Sequence, residues 1–313
     1  MAAVNVVDIE DYLKGVVPKE VSALWHTEAV KAQAIVARTY AVTNMNKYKS
    51  YGFNVDNTTS SQVYGGAAAE HELSNEAVEA TKGQLVVYNG APAEVFFFSS
   101  SGGRTENSEN VWGGAAIPYL VSVEDTYEDP NQASYARWEV VLSPQAVADK
   151  LTTSGIDLGE ITDITIDETS SAGRSLKTTI HGLNGSQAFT YDKIRSVLGL
   201  YSTCFTVSRE GGMSPNVSIL SADGTKTAEP NGLSVISTNG ISSLGNSVTA
   251  IGAEYEKIYV KTSGTGNFIL SGKGWGHALG MSQWGAKGMA DNGFTCDEII
   301  KHYFTGTEVM SFR

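Results

Sequence analysis

Residues 12–48, YLKGVVPKEVSALWHTEAVKAQAIVARTYAVTNMNKY, decide how the rest of the chain is organised. Apolar residues recur at helical spacing from Ile9 to Val17, which predicts a first helix. Pro18 is expected to end that helix, because a proline pushes the residue before it out of the helical conformation. Glu20 then lies in a short break before a longer second helix. An acid held at such a break is the first candidate for a catalytic group.

The second helix is predicted to begin near Thr27 and Glu28, a hydroxyl cap followed by an acid at the positive helix end. Its Ala-rich sequence favours a helix, and neither Gly nor Pro interrupts it. Lys31 and Arg38 stand seven residues apart, so they project from the same face. Lys and Arg on a helix usually belong to a solvated surface, and a Glu near a helix break is usually a surface residue too. Spacing alone therefore leaves open whether Glu20 is catalytic.

Four blocks of sequence are more specific than any single residue. They are GVVPKE at 15–20 with EAVKAQA at 28–34 and ARTYA at 37–41, SSSGGRTEN at 99–107, PYLVSV at 118–123, and GWGHALGMSQWGA at 274–286. In content and order they resemble the stage II sporulation protein D family, which includes the amidase-enhancer proteins. The resemblance extends over most of the chain.

The resemblance implies an activity and a set of site residues. The activity is that of a lytic transglycosylase, which cleaves the MurNAc-GlcNAc bonds of peptidoglycan glycan strands and leaves 1,6-anhydro-MurNAc ends. Glu20 stands at the position of the family's catalytic acid, and Lys31 and Arg38 stand at the basic helix positions associated with it. The blocks supply four more candidates for substrate binding: Ser101, Tyr119, His277 and Gln283.

Composition and charge argue against several kinds of partner. The 313 residues carry a net charge of -12, and 41% of them are hydrophobic, as in a globular protein. Nucleic acid and anionic membrane surfaces bind proteins through clustered Lys and Arg side chains. The net negative charge therefore argues against both as main partners. No Cys-x-x-Cys, His-x-x-x-His or His-Glu-x-x-His pattern occurs, so we predict no metal and no cofactor.

Two features bear on the compartment. Cys204 and Cys296, the only cysteines, either pair, as an oxidising compartment would allow, or serve as small core residues. The sequence has no apolar run long enough to span a bilayer and no basic and apolar leader. Since family members work outside the cytoplasmic membrane, the resemblance implies an extracytoplasmic protein, in the cell wall or anchored to the membrane by a segment upstream of Met1.

The elements predict an α+β fold of two lobes with a cleft. A helix over 70–82 precedes a hairpin of two strands, 84–88 and 93–98, which turns at Asn89-Gly90. The second strand leads into the glycine-containing loop 99–103, which can approach a ligand closely. The predicted division is a catalytic core from 1–137, an accessory α+β lobe from 138–207, a β-rich insertion from 208–263, and a return to the core from 264–313.

The glycines before His277 resemble a phosphate loop only superficially, because the dinucleotide spacing is absent. They are expected to form tight turns that bring His277 and Gln283 beside the first helix. A lone histidine is commonly a buried structural residue, and that alternative stays open for His277. The insertion 208–263 either decorates the fold or binds glycan. If a carboxylate of the acidic loop 124–129, from Glu124, Asp125 or Glu128, faced Glu20, it would either tune the protonation of Glu20 or serve as a second carboxylate.

The implied chemistry needs one acid rather than the two of a glycoside hydrolase. Glu20 would protonate the glycosidic oxygen and then accept the proton of the sugar's attacking 6-hydroxyl, and an apolar setting near Val21 and Trp25 would favour its protonated form. Lys31 and Arg38 would either orient Glu20 or contact the sugar. The alternative is a non-catalytic cell-wall-binding module that enhances a separate amidase. Expected partners are therefore glycan strands and an amidase or other wall-remodelling protein.

Overall fold

The computed structural model describes residues 4–210 and 266–312 in full, and between them the backbone of six strands within 217–261. Helices and strands are mixed, which confirms the predicted α+β class. The α-helices of the described residues are α1 (Ile9–Glu20), α2 (Thr27–Thr43), α3 (Glu72–Ala80), α4 (Glu109–Trp112), α5 (Pro144–Thr153), α6 (Lys193–Leu198), α7 (Gln283–Asp291) and α8 (Cys296–Tyr303).

The strands of the described residues complete the order of elements. They are β1 (Gln84–Tyr88), β2 (Ala91–Pro92), β3 (Phe97–Phe98), β4 (Trp138–Leu142), β5 (Ile161–Thr169), β6 (Ser175–Gly182), β7 (Gly185–Thr190), β8 (Phe205–Arg209), β9 (Val217–Ser221), β10 (Gly224–Ala228), β11 (Ser234–Ser237), β12 (Gly240–Ser243), β13 (Ser247–Ile251), β14 (Lys257–Lys261), β15 (Phe268–Gly272), β16 (Met281–Ser282) and β17 (Glu308–Ser311).

Helix α2 is the centre of the first lobe. Eleven of its 17 residues are buried, and most of these are alanines or β-branched residues. Alanine ends at Cβ, so neighbouring elements approach the helix closely on several sides. One flank packs with α1 and α3, and the other with β1, α7 and α8. Helix α2 therefore holds α1, which carries Glu20, and α7, which carries Gln283, in one arrangement.

Helix α1 does not end at Pro18, as the sequence predicted, but continues to Glu20. The Val21 N–H closes the last turn on the carbonyl of Val17 at 3.0 Å. A proline in the last turn removes one backbone hydrogen bond, and burial of Val17 against α2 and α3 keeps the turn in place. Glu20 is therefore the last residue of a helix rather than part of a break.

Helix α2 begins at Thr27 as predicted, but the capping residue is different. Nδ1 of His26 accepts a hydrogen bond from the Glu28 N–H at 3.3 Å, so His26 and not Thr27 is the N-cap. An imidazole nitrogen with a free lone pair can take the place of a hydroxyl here. The position of the helix was thus predicted correctly and its cap was not.

The hairpin at Asn89-Gly90 is confirmed, but its second strand is shorter than predicted. Asn89 and Gly90 have φ of 51° and 81°, the left-handed pair of a tight hairpin turn, and β2 then covers two residues only. Strand β3 leaves the hairpin and pairs in parallel with β16. This pairing brings the 99–107 block next to the 274–286 block. Strand β17, which the sequence did not indicate, pairs with the free side of β1.

The second lobe has its own core. Strands β5, β6 and β7 form one antiparallel sheet, and β4, β15 and β8 form another. Helices α5 and α6 pack with these sheets around a separate cluster of buried side chains that includes Trp138, Ile180 and Phe268. In the sequence, Ser143 as a cap and Pro144 at the first helical position predict a helix start, and the structure confirms it, because Ser143 Oγ accepts from the Ala146 N–H at 3.1 Å. Strand β15 belongs to this lobe's sheet, and the domain boundaries stay a prediction.

The insertion 208–263 lies partly outside the described residues. Its described strands pair as three antiparallel hairpins, β9 with β10, β11 with β12, and β13 with β14. Glycine, proline and asparagine in the sequence predict turns at 210–212, 229–232 and 239–240, and these include residues outside the described ranges. Cys204 is buried, Cys296 is half-buried, and both are free thiols. In the part of the chain that the structure describes, no helix is both long and apolar enough to cross a membrane.

Candidate active site

Glu20 lies where three elements meet. The Val63 N–H donates to Glu20 Oε1 at 3.3 Å, and Gln283 Nε2 donates to Glu20 Oε2 at 3.4 Å. Both distances are at the long end for hydrogen bonds. The side chain is half-buried, so its carboxyl group is neither sealed in the core nor surrounded by water. The end of α1, the 61–65 loop and the start of α7 thus converge on one carboxyl group.

The 61–65 loop reaches Glu20 because position 15 of α1 is a glycine. A Cβ at Gly15 would lie 2.6 Å from the ring of Tyr64, which occupies that space. The Gly65 N–H donates to the Gly15 carbonyl at 3.0 Å, and Tyr64 stacks on Tyr12 with ring centroids 5.3 Å apart. These contacts hold the loop, including Val63, against the last turns of α1.

The start of α7 is fixed by its cap and by a pair of indoles. Ser282 Oγ accepts from the Gly285 N–H at 3.1 Å, which makes Gln283 the first residue of the helix. The next residue, Trp284, packs its ring on Trp25 with centroids 4.9 Å apart. Because Trp25 lies in the turn after α1, this contact joins the two segments that carry Glu20 and Gln283.

Burial raises the pKa of Glu20, and the hydrogen bonds from Val63 and Gln283 act in the opposite direction. No Lys or Arg forms a salt bridge with Glu20 among the described residues. Desolvation is the larger effect, so the protonated carboxyl is favoured relative to a glutamate in water. A raised pKa is the direction of change that suits a carboxyl group to donate a proton.

Glu128 joins the 99–103 loop to the cap of α7. Its Oε2 accepts from Ser100 Oγ at 2.8 Å and from the Gly102 N–H at 3.1 Å, and its Oε1 accepts from the Ser101 N–H and from Ser282 Oγ. Arg174 of the second lobe, itself buried, donates to the Ser101 carbonyl. Ser101 is 1% exposed. The predicted sugar contact is therefore buried beneath the loop surface.

Asp125 is a buried acid beside Glu128. Neither of its carboxyl oxygens makes a hydrogen bond with a described residue, and the nearby Tyr303 hydroxyl is also without a partner there. Burial, and after it the charge of Glu128, raises the pKa of Asp125 to about 7. The acidic loop thus faces the 99–103 loop and α7 rather than Glu20. Within the described ranges, no three His, Cys, Asp or Glu side chains are grouped as a metal site would require.

Lys31 and Arg38 share a helix face but have different surroundings. Lys31 Nζ is 2.8 Å from Glu28 Oε1, and Oε2 of Glu28 accepts from the Cys296 N–H at 2.8 Å. The lysine therefore lies at the junction of α2 and α8. Its ammonium group is half-buried and held by an acid on its own helix. No hydrogen bond or salt bridge joins Lys31 to Glu20 in the described residues.

Arg38 is buried in the core of the first lobe, at 1% exposure. Its guanidinium donates to both carboxyl oxygens of Glu10, with the shortest contact at 2.7 Å, and to the carbonyls of Val78 and Gln84 at 3.2 Å each. Each end of the guanidinium fork is thus occupied by protein groups. This placement argues against direct sugar contact by Arg38 and assigns it to holding α1, α2, α3 and β1 together.

Tyr119 and His277 have hydrogen-bond partners other than Glu20. The Tyr119 hydroxyl accepts from the Glu94 N–H at 2.9 Å, and its ring packs on Tyr88 at 4.7 Å. Nδ1 of His277 accepts from the Leu279 N–H at 3.0 Å. Its ring lies among three aromatic side chains, Phe96, Phe98 and Trp112, and burial lowers the pKa of His277 to about 3. Of the predicted site residues, Gln283 is the one that forms a hydrogen bond with Glu20.

The residues that sequence reasoning missed come mainly from the 61–65 loop. Val63 contributes a backbone N–H, which no side-chain pattern could reveal. Gln62 is almost fully buried, accepts from the Tyr12 hydroxyl at 3.1 Å and donates to the Ala37 carbonyl at 3.2 Å. Burial is the largest cause that raises the pKa of Tyr12, and the charge of Glu20 adds to it. Trp284 lies in the recognised block 274–286, and this was the one sequence signal that could have placed it at the site. Its packing on Trp25 is visible only in the structure.

Sequence comparisons supply independent information about relatives. The family model described as stage II sporulation protein matches residues 1–88, and one described as a domain of unknown function matches residues 127–224. The first range contains Glu20, Lys31 and Arg38, and the second covers most of the second lobe and the beginning of the insertion.

Full-length relatives show the same relationship. The amidase enhancer of Bacillus subtilis is 33% identical over 303 residues, which are 96% of this chain and 40% of that protein. Stage II sporulation protein D of Bacillus subtilis is 31% identical over 324 residues, which are 98% of this chain and 76% of the relative. An uncharacterized protein of Brachyspira hyodysenteriae is 30% identical over 314 residues, 100% of this chain and 69% of the relative. The chain thus spans less than half the length of the amidase enhancer.

Proposed function

This chain belongs to the stage II sporulation protein D family, and from that premise we propose that it is a lytic transglycosylase of peptidoglycan glycan strands. Glu20 is the proposed catalytic residue, acting first as acid and then as base. The substrate is the bond between MurNAc and GlcNAc, and the product is a strand that ends in 1,6-anhydro-MurNAc.

One observation supports this proposal above the others. Glu20 is a half-buried carboxyl group whose pKa is raised by burial, and it has one hydrogen-bond donor on each oxygen. A surface glutamate that only solubilises the protein has no need of fixed donors from two distant segments, residues 63 and 283. The carboxyl group is oriented before substrate arrives, which is the condition for efficient proton transfer.

The proton transfers balance within this one residue. Protonated Glu20 gives its proton to the glycosidic oxygen as the bond from that oxygen to C1 of MurNAc breaks. The 6-hydroxyl of the same MurNAc then bonds to C1, and its proton passes to the Glu20 carboxylate. The acid is regenerated and no water is consumed.

Val63 and Gln283 have a defined part in this sequence of steps. Their N–H groups donate to the carboxylate form, which exists between the two transfers. The same bonds lower the pKa of Glu20 and so oppose the effect of burial. This balance keeps the carboxyl group able both to release and to recover a proton.

The experiment is to replace Glu20 by Gln and to digest purified glycan strands. Loss of a general acid typically lowers turnover by about 100-fold or more, so anhydro ends should disappear from the mass spectrum of the products. Glu124→Gln, in a largely exposed side chain, is the matched control and should digest strands like the wild type. An active Glu20→Gln protein that keeps its fold would refute the assignment.

The similarity to an amidase enhancer favours a second candidate. In this alternative the chain binds the cell wall and enhances a separate amidase without cleaving glycan itself. A purified wall amidase should then release stem peptides faster in the presence of either the wild type or Glu20→Gln. If only the wild type stimulates the amidase, strand cleavage is the primary activity. Either role requires access to the wall, so we propose an extracytoplasmic location.

A further inference from the structure

Three aromatic side chains from separate segments converge at the protein surface. Tyr135 stacks on Tyr201, with ring centroids 3.9 Å apart and an angle of 20° between the planes. Trp275 meets the ring of Tyr135 at 4.8 Å and nearly edge-on. Tyr135 is 40% exposed and Trp275 is 41% exposed. We call Tyr135, Tyr201 and Trp275 the aromatic platform.

Backbone hydrogen bonds fix the platform. The N–H groups on either side of Trp275 donate to the carbonyl of Ala136, next to Tyr135, at 3.2 Å and to the carbonyl of Tyr201 at 2.9 Å. Trp275 also exchanges two backbone hydrogen bonds with Ser100, at 2.8 and 3.0 Å. The segments that carry the three rings are therefore bonded to one another, and the rings are arranged before any ligand binds.

Tyr135 adopts a backbone conformation that a bulky residue rarely takes. Its φ is 58°, in the left-handed region where a Cβ crowds the backbone. Such strain persists where the surroundings determine the conformation, and it is concentrated at binding and catalytic sites. Here the strained backbone presents a ring that remains 40% exposed, so burial in the core does not account for the arrangement.

The platform lies beside the loop that also contacts the Glu20 site. Ser100 pairs with Trp275, and Phe97 and Phe98, just before it in the same segment, pair with Met281 and Ser282. The segment 97–100 therefore connects the platform to the strand that leads into α7.

We propose that the aromatic platform is a saccharide subsite that stacks an N-acetylhexosamine ring of the glycan strand at a distance from the cleaved bond. One face of a pyranose ring is formed by C–H groups, which pack on aromatic rings while the hydroxyls remain hydrated. Tyr and Trp supply rigid contact area of this kind with little loss of side-chain entropy. The inference rests on the proposed function and adds to it a binding site for sugars beyond the reacting pair.

Two variants test the subsite, and the chain offers a matched control. Tyr135→Asn removes one ring, and Asn tolerates the left-handed conformation, so the backbone strain is relieved. Trp275→Leu removes a second ring and keeps an apolar side chain. Tyr191 also has a left-handed φ, 53°, and is 37% exposed. Tyr191→Asn therefore makes the same exchange outside the platform.

Binding of purified glycan strands, measured by titration calorimetry, is the main measurement. Loss of one stacking contact should raise the strand dissociation constant roughly 3- to 10-fold in Tyr135→Asn and in Trp275→Leu. The urea midpoint of Tyr135→Asn should not fall, because strain is removed with the ring. Tyr191→Asn should bind strands like the wild type.

Anhydro-product release, measured on the same samples, separates the two proposals. Unchanged strand affinity in both platform variants would overturn the subsite, as would a wild type that binds no strand. Weakened binding in these variants, with no anhydro product from the wild type, would support the subsite and refute the proposed activity. Anhydro product from the wild type, with unchanged strand affinity in the variants, would support the proposed activity and refute the subsite.

Discussion

Arg38 is predicted to stabilise the fold rather than to hold sugar, and Glu10→Gln tests this without changing the arginine. Two nitrogens of the guanidinium donate to the Glu10 carboxylate, at 2.7 to 3.2 Å, and both side chains are almost fully buried. An amide at position 10 keeps the shape of the carboxylate but removes its charge. It also turns one acceptor into a donor that faces the guanidinium.

The size of the effect follows from burial. Removing one partner of a buried ion pair costs about 3–5 kcal/mol, because the remaining charge stays in a medium of low polarity. The whole domain is expected to be stable by only about 5–15 kcal/mol. Lys31→Ala, seven residues earlier on the same helix, breaks a half-buried pair with Glu28 and should cost about 1 kcal/mol or less.

Urea unfolding followed by tryptophan fluorescence gives the free energy of unfolding of each variant. Glycan-strand affinity is then measured at a temperature where every variant is folded. We expect Glu10→Gln and Arg38→Ala to lose several kcal/mol each and to keep wild-type affinity. Wild-type stability in Arg38→Ala together with weakened strand binding would refute the structural role and return Arg38 to the substrate site.

Three further predictions concern the carboxyl groups. Gln283→Leu removes a hydrogen bond that lowers the pKa of Glu20. The alkaline limb of the kcat/KM profile, where Glu20 loses its proton, should therefore shift to higher pH. An unchanged limb would mean that Gln283 does not act on Glu20. The pKa of Asp125 is raised from 3.8 to about 7, so Asp125 keeps its proton in the folded protein at pH values where the unfolded chain has released it. The free energy of unfolding should therefore fall as pH rises from about 4 to about 7, by at most about 4 kcal/mol. Urea titrations across this range should show a flatter dependence for Asp125→Asn, and a parallel curve would contradict the assignment. In Glu128→Gln the new NH2 group must face a fixed backbone N–H, of Ser101 or of Gly102, whichever way the amide is turned. Near-ultraviolet circular dichroism should therefore report a changed Trp25–Trp284 contact. Glu124→Gln should give the wild-type spectrum.

Local rules predicted much of the fold from the sequence. Ser143-Pro144 began a helix, Asn89-Gly90 turned a hairpin, and the Ala-rich segment after Glu28 formed one long helix. These features depend on residues a few positions apart, so the chain near them is sufficient to specify them. Pro18 misled the same reasoning, because packing of α1 outweighed the loss of one hydrogen bond.

The composition of the candidate site was only partly accessible from the sequence. The recognised blocks identified Glu20 and Gln283, which are 263 positions apart and share a hydrogen bond in the structure. They did not identify Val63, since a backbone N–H is present at almost every residue and only the fold aims it. Residue type also failed to separate Lys31, half-buried on the surface of α2, from Arg38, buried seven positions later.

The sequence by itself indicated the α+β class, the family and Glu20 as the single candidate acid between the first two helices. The tertiary structure decided which side chains reach that acid and which basic side chain is buried in the core. It also decided that three aromatic residues meet beside the 99–103 loop. The physical reason is that helical and turn preferences act over a few residues. Burial and hydrogen bonding depend instead on partners that only the folded chain brings together.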